Sequence, residues 1–367
     1  MRPSTAAMIT SAPTVLGSER INANARRQFI AADGNSYILQ IQGRDEKGKP
    51  VYKKIRTNAT ALLQYDEWKD IDRVVIPAAV LRMRGVEDLR SRGLTHNLGS
   101  IGMTVSLWDR VSDMTPANVD MSAVTQGEKD TPAFRPQIVP VPVVHKDFQV
   151  ELRRLVASRQ FGEAIDTTAA ALAGRLVGEK MESMLFMGND EIQVTDPTVG
   201  QARIYGYTTH PDRNRVNLQT PWDELDGAAG ENAQIIEDVQ AMQQASRNAR
   251  HFGPWIIYVP AHYEAKLDED YRGPTSSDTR TVKERILALT GIESVEVADF
   301  LTGDNVLLIS MNRDVVDLAI GQDISTIQWT VTGGMVEEFK VMMVAVPRLK
   351  SDFDGRSGIT HLMPEAS

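Results

Sequence analysis

The chain has 367 residues, 42% of them hydrophobic and 24% charged, with a formal net charge of −9; these are ordinary values for a globular protein with two or three cores. It contains no cysteine, which excludes disulfides, cysteine-ligated zinc and thiol catalysis. No apolar run approaches the ~18 residues of a membrane helix, and the N-terminal stretch lacks the apolar centre of a secretory signal.

Residues 1–30 are rich in Ala, Ser, Thr, Asn and Arg. They have no core of their own and are expected to order only against other chains. Residues 36–57 have a β-hairpin pattern: Tyr37, Leu39 and Ile41 alternate on one limb, Val51 and Ile55 mark the other, and a polar turn with Gly43 and Gly48 lies between them. A lone hairpin is marginal, so this one should pack on another part of the fold or on another subunit. Over residues 61–92, Trp68, Ile71, Val75, Ile76 and Ala79 fall at helical spacing, with Asp66, Glu67, Lys69, Asp70 and Asp72 on the wet side. A second short helix is expected over residues 86–90, then a turn at Gly93. Residues 98–136 read as two strand limbs around a polar centre, Ile101, Met103, Val105 and Leu107 on one limb and Phe134 opening the return. A connection that long is usually an interaction element.

The chain is organised around residues 139–188. Val141, Val143, Val144, Phe148, Val150 and Leu152 give strand alternation, and Pro140 and Pro142 suit an edge strand. One long helix follows, capped near Asp166, Thr167 or Thr168 and stopped at Gly188. Its apolar stripe is Leu172, Leu176, Val177, Met181, Met184 and Leu185. At ~1.5 Å per residue it is roughly 30 Å long, a spine for a domain.

Beyond it, residues 191–230 read as loop and short strand, and residues 231–249 as a helix with Ile235, Ile236, Val239 and Met242 inward. Residues 255–259 read as a fully buried strand, and Pro260 opens a helix at its first position. A mobile loop over 268–280 leads to a helix at 282–289 and strands at 294–297, 306–311 and 315–320. Two last strands, 326–331 and 339–347, are joined by Gly333 and Gly334, the second apolar on both faces and therefore buried. The alternation between the spine and the last strands describes an α/β domain.

No catalytic constellation stands out. His210 lies beside Asp212, Arg213 and Arg215, which fits a structural Arg/Asp pair better than a phosphate or metal site. The consecutive His145, Lys146 and Asp147 cannot face one substrate from a strand. His251 and His262 match no zinc-protease spacing, and the acidic groups Asp223, Glu224, Asp226 and Asp268, Glu269, Asp270 lack a calcium-loop pattern. The chain is expected not to be an enzyme and to need no cofactor or metal.

Charge is divided unevenly: residues 1–60 hold ten Lys/Arg and four Asp/Glu, the remaining 307 thirty and forty-five. Arg2, Arg20, Arg26, Arg27, Lys47, Lys49, Lys53 and Lys54 make a basic arm on an acidic body, suited to acidic surfaces of neighbours or to polyanions.

Taken in order, the stretches EWKDIDRVVIPAAV, GVEDLR, LGSIGMTVSLW, VPVPVVHKDFQV, the spine helix ending FMGN, and VMMVAVPRLKSDFDGRSGITH resemble the encapsulin-like major capsid proteins of tailed bacteriophages. The resemblance covers residues 61–362. It implies an α+β fold shared by tailed-phage and herpesvirus shells, with an N-terminal arm and β-hairpin (1–60) and an extended loop (104–138). It also implies a peripheral domain built on the spine helix (61–103, 139–195, with return strands 322–367) and an axial α/β domain (196–321). By the same resemblance the chain is a structural subunit that self-assembles, as pentamers and hexamers, into an icosahedral shell enclosing double-stranded DNA. The implied partners are a separate scaffolding protein, a portal and non-specific contact with the packaged DNA, with no membrane. The start at Met1 leaves too short an arm for a cleaved scaffold domain, so no N-terminal maturation cleavage is expected. Assembly would take place in the bacterial cytoplasm and the product would be the virion capsid. The alternative is an encapsulin-type compartment around an enzyme cargo, and the basic hairpin departs from the short N-terminus of such compartments. Expected inter-subunit contacts are Tyr37, Leu39 and Ile41 in the hairpin and Leu107, Trp108, Met114 and Lys129 in the extended loop, Trp108 being as well suited to its own subunit's core. Some capsid relatives form a Lys–Asn bond between subunits. Lys129 is the lysine of the loop, and no Asn and Glu partners are matched for it, so the crosslink is set aside.

Overall fold

The computed structural model describes residues 28–30, 36–44, 50–56, 65–80, 83–117, 119, 121, 129–151, 153, 167–197, 199–225, 232–271, 280–330 and 336–364. Two compact units are built from interleaved segments: residues 1–83, 143–180 and 322–344 form the first, and residues 84–142, 181–321 and 345–367 the second.

In the first unit β1 (Gln28–Ile30), β2 (Ser36–Arg44) and β3 (Pro50–Arg56) form an antiparallel sheet in that order. The hairpin of β2 and β3 sets Tyr37 opposite Arg56, Leu39 opposite Lys54 and Ile41 opposite Tyr52, with a register shift before Gly43. Helix α1 (Tyr65–Val80) buries Ile71, Val75 and Ala79, four residues apart and so on one face. That face meets the first turns of the spine helix, α3 (Thr168–Met187). The contact is made by glycine. A Cβ on Gly174 would lie 2.7 Å from the Val75 carbonyl oxygen, and one on Gly178 2.5 Å from that of Ala79. Two backbones approach this closely only where side chains are absent.

This corrects the stripe expected on the spine. Ala170, Ala173, Val177, Met181, Met184 and Leu185 are buried, but Leu172 and Leu176 are 46% and 41% exposed. A close helix crossing takes the small residues and turns the leucines outward. The helix does stop at Gly188, where φ is +82°.

Also in this unit, β7 (Val143–Glu151) runs antiparallel to the first part of β15 (Val336–Leu349). Phe148 and Phe339 are direct partners across the pair, and their rings stack at 5.0 Å.

The second unit is centred on a five-stranded sheet ordered β10 (Asn214–Leu218), β16 (Ile359–Pro364), β13 (Val306–Ser310), β11 (Trp255–Val259) and β12 (Ile292–Val297). The outer pairs are parallel and the two central pairings antiparallel. All five residues of β11 and all five of β13 are buried, as an unalternating apolar run requires of a central strand. Helix α4 (Asn232–Asn248) packs on β10 and β16 through Ile235, Ile236, Val239 and Met242. The core is completed by Trp222, Trp255 and Tyr263.

Two readings differ here. Pro260 does not open an α-helix; it precedes a 3-10 turn, Ala261–Tyr263, that leads into the short α5 (Glu264–Leu267). The tail strand β16 lies inside the α/β sheet, although the sequence places it with the return strands. Helix α6 (Val282–Leu287) begins at a capping box made by Thr281 and Glu284. The expected loop over 268–280 lies largely outside the described residues.

Near the start of this unit, α2 (Arg84–Ser91) is followed by β4 (Thr95–Asn97), which pairs in parallel with residues 318–320 of β14 (Val316–Thr330). The strands expected at 315–320 and 326–331 are a single strand, β14. The unit also contains two antiparallel hairpins, β5 (Val105–Val111) with β6 (Phe134–Pro140), and β8 (Gly188–Asp196) with β9 (Gly200–Tyr205).

Candidate functional site

The β5–β6 hairpin occupies the sequence expected to form the extended loop, and it buries one face at its root while exposing apolar groups on the other. At its root, β5 and β6 carry both inward and outward residues: Ser106, Ile138 and Val139 are buried. Trp108 is half-buried opposite Gln137, with the Arg348 guanidinium 5.9 Å from its ring. Arg348 donates to both carboxylate oxygens of Asp317, at 2.5 and 2.6 Å, and to Ser106 Oγ at 3.3 Å. Lys350 Nζ adds a bond to Asp317 at 2.7 Å. Burial pushes the Asp317 carboxyl up, but the bonds from Arg348 and Lys350 outweigh it and hold its pKa below the usual value. This ion cluster ties the hairpin's root to β14 and β15 within the second unit.

On the outward face of the root Leu107 is 63% exposed, and beyond the root Phe134 is 63% and Met114 57% exposed, with Val111 exposed as well. The chain beyond β5 is held by Ser112 N donating to Ala133 O and Ala133 N to Ser112 Oγ, both 2.9 Å, and by Thr115 N donating to Asp130 at 2.9 Å. Asp113 receives Arg250 and, at 3.4 Å, Arg356. A hairpin fixed by polar bonds while it exposes its large apolar groups has the chemistry of a contact surface.

The other expected contacts are placed as follows. Lys129 is exposed. Tyr37, Leu39 and Ile41 lie on β2, and Lys53 and Lys54 on β3. Arg2, Arg20, Arg26, Arg27, Lys47 and Lys49 lie outside the described residues.

His210 and His361 sit in structural hydrogen-bond networks. His210 is buried, which pulls its pKa down to about 4. Arg213 donates from Nη1 to the His210 carbonyl at 2.8 Å and from Nε to His361 Nδ1 at 3.1 Å. The other nitrogen of His361 lies 2.8 Å from Asn305 Oδ1, so this imidazole donates on one side and accepts on the other, as its neutral form does. Burial and the nearby Arg213 and Arg215 lower its pKa to about 4 as well. Asp212 takes bonds from Arg110 at 3.0 Å and Ser351 at 2.6 Å, a structural pair made with a distant arginine and not with the neighbouring Arg213 or Arg215 that the sequence offered.

The fold also brings together residues that spacing kept apart. The ligating atoms of Asp223, His262 and Asp304 lie within 4.8 Å of one another. Asp223 and His262 are exposed, and Asp304 already accepts a bond from Tyr263 at 2.8 Å.

The Arg348–Asp317–Lys350 cluster had no sequence signal, since Asp317 on β14 lies 31 and 33 residues before Arg348 on β15 and Lys350 just past its end. One cavity, of about 160 Å³, lies beside Trp108 and is walled by the β5–β6 and β8–β9 hairpins and by His210, Pro211, Pro347 and Leu349.

Comparison with known proteins places this geometry. A model of a family of unknown function, DUF6260, matches residues 58–362. The type 1 encapsulin shell protein EncA of Myxococcus xanthus is 23% identical over 291 residues, covering 78% of this chain and 90% of EncA. The virus-like particle of Pyrococcus furiosus superposes with a TM-score of 0.56 at 16% identity, over 80% of this chain and 98% of its own. The capsid of Myoviridae phage XM1 does so with a TM-score of 0.55 at 12% identity, over 74% and 88%. The mixed α+β fold is that of tailed-phage major capsid proteins and encapsulin-like shells.

Proposed function

Since the chain belongs to the family of unknown function DUF6260 and has the fold of capsid and encapsulin shells, we propose that it is a structural subunit whose copies assemble into a closed icosahedral shell. The observation that carries this reading is the β5–β6 hairpin, which is locked at its root by a buried ion cluster and exposes Leu107 on its outward face and Met114 and Phe134 farther out. In this reading residues 104–138 lap over a neighbour. Leu107, Met114 and Lys129 meet that neighbour, Trp108 holds the hairpin to its own subunit, and Tyr37, Leu39 and Ile41 add contacts from the arm. The peripheral and axial assignments given above follow the same proposal.

For the contents, we favour double-stranded DNA and a tailed-phage virion, on the strength of the basic segment over residues 1–60. The match to EncA favours a second reading, a compartment around a protein cargo. The test is electron microscopy of particles purified from the native source, followed by nuclease treatment and protein analysis. Nuclease-protected double-stranded DNA supports the virion, and one stoichiometric enzyme supports the compartment. A stable monomer under all assembly conditions excludes both.

A further inference from the structure

The cavity beside Trp108 is chemically one-sided. Its wall carries three guanidinium groups, Arg110, Arg135 and Arg203, with the Trp108 indole and the His210 imidazole, and no carboxylate. Arg110 is held from behind by Asp212 at 3.0 Å, and Arg203 by Asp190 at 2.9 Å and by the Tyr205 ring at 4.7 Å. Arg135 has no ion pair among the described residues. Two buried donors of this wall, Trp108 Nε1 and Arg110 Nε, have no hydrogen-bond partner among the described residues. Buried donors are nearly always satisfied in native proteins. Two unpaired donors on residues that line one basic cavity therefore mark a place that is incomplete in the isolated chain.

We propose that this cavity is a socket for an acidic side chain of a second copy of the chain, which seats its carboxylate among Arg110, Arg135 and Arg203. Size and lining both point to a side chain. About 160 Å³ exceeds what a lone oxyanion fills, and Ile138, Val139, Pro211 and Pro347 offer an apolar floor for a methylene stem. Charge points to a second copy: residues 61–367 hold thirty Lys/Arg against forty-five Asp/Glu, so the surface of each neighbour is rich in carboxylates. A planar guanidinium fork matches a carboxylate in two parallel bonds. The socket sits at the root of the exposed hairpin, so an acid bound there would fix the hairpin's direction as it docks. The inference rests on the shell reading.

The test uses full-length wild-type chain, Arg135→Ala, and Arg135→Ala with Arg203→Ala. Both changed residues are partly or fully solvent-exposed, and unchanged thermal melts of disassembled subunits confirm that the variants fold. Assembly is followed by light scattering against subunit concentration. The expected result is about a tenfold rise in the concentration needed for the double variant to assemble. Inorganic phosphate should raise that concentration for wild type more than chloride at equal ionic strength, and the double variant should lose this difference. Wild-type particles with variants that assemble identically overturn the socket while leaving the shell intact. Failure of the wild type to form particles at all overturns the shell reading instead. Phosphate that binds wild-type subunits without affecting assembly identifies a free-anion site and overturns the second-copy occupant.

Discussion

Glu182 is an acid where a helix start needs an anion. It is buried, and its carboxylate accepts the Gly85 N–H at 2.5 Å and the Val86 N–H at 3.2 Å, in the first turn of α2. Burial still dominates and raises its pKa to about 7. His210 and His361 are displaced the other way, each to about 4. The consequences oppose each other. Below pH 6.5 the unfolded histidines take up protons that the folded ones refuse, so each withdraws about 3 kcal/mol of stability as pH falls toward 4. Folded Glu182 binds a proton that the unfolded residue lacks between pH 7 and 4.5, which returns about 3 kcal/mol over that window. Glu182→Gln keeps an acceptor for α2 but removes the compensation. Denaturant midpoints measured in steps from pH 7 to 4.5 should fall more steeply for that variant than for wild type, and parallel curves would contradict the assignment. A second prediction concerns the hairpin root. Asp317→Asn leaves Arg348 and Lys350 without their shared anion in a site where Arg348 and Asp317 are almost fully buried. A cost of about 3–5 kcal/mol is expected in urea unfolding. Trp108 was legible in the sequence as a large aromatic at the end of an apolar strand limb. Its partner Arg348 was not, because nothing local marks which of many arginines a sheet will bury.

At the scale of elements, the spine helix separates what a hydrophobic pattern shows from what packing decides. Periodicity located the helix and its glycine stop, because 3.6-residue spacing and a left-handed terminus are local properties. It chose the wrong face for the upper half, because a leucine-rich stripe and a glycine–alanine stripe are both periodic and only the distance to α1 selects between them. The two faces give opposite mutational outcomes. Gly178→Ala gains up to ~1 kcal/mol of helix propensity, yet its methyl would sit 2.5 Å from the Ala79 carbonyl oxygen, a backbone atom that cannot turn aside. Overpacking of this kind costs ~1–3 kcal/mol, so the variant should melt lower than wild type. Leu172→Ala and Leu176→Ala, at half-exposed positions, should each change the stability of disassembled subunits by less than ~1 kcal/mol. The reverse ranking in a thermal melt would restore the leucine stripe as the buried face. The same distinction explains β14 and β16. The gap left between the strands expected at 315–320 and 326–331 is not a break, since β14 runs through it as one strand. The sequence ITHLMP, with a histidine and a terminal proline, has too little alternation to announce a strand that lies inside a sheet.

At the scale of the whole molecule, a subunit of a closed shell must be soluble alone and adhesive only toward its own kind. The chain's net charge serves the first requirement, since −9 keeps free subunits apart until specific contacts outweigh repulsion. In the proposed shell the hairpin serves the second. Burial of a leucine or phenylalanine contributes about 1.5–3 kcal/mol, and in a symmetric shell the same contact recurs at every copy. Two such residues per subunit are therefore enough to decide whether particles form, although neither supports the isolated fold. Replacing Leu107 and Phe134 together by Ser should leave the circular dichroism melt of free subunits within a few degrees of wild type. The same change should raise the concentration at which particles appear by about a hundredfold, since ~3 kcal/mol per subunit corresponds to that factor. Analytical ultracentrifugation of both forms over a dilution series separates the outcomes. Particles of wild-type size at wild-type concentration would show that the exposed hairpin is not the adhesive surface and that closure depends on contacts made elsewhere on the chain.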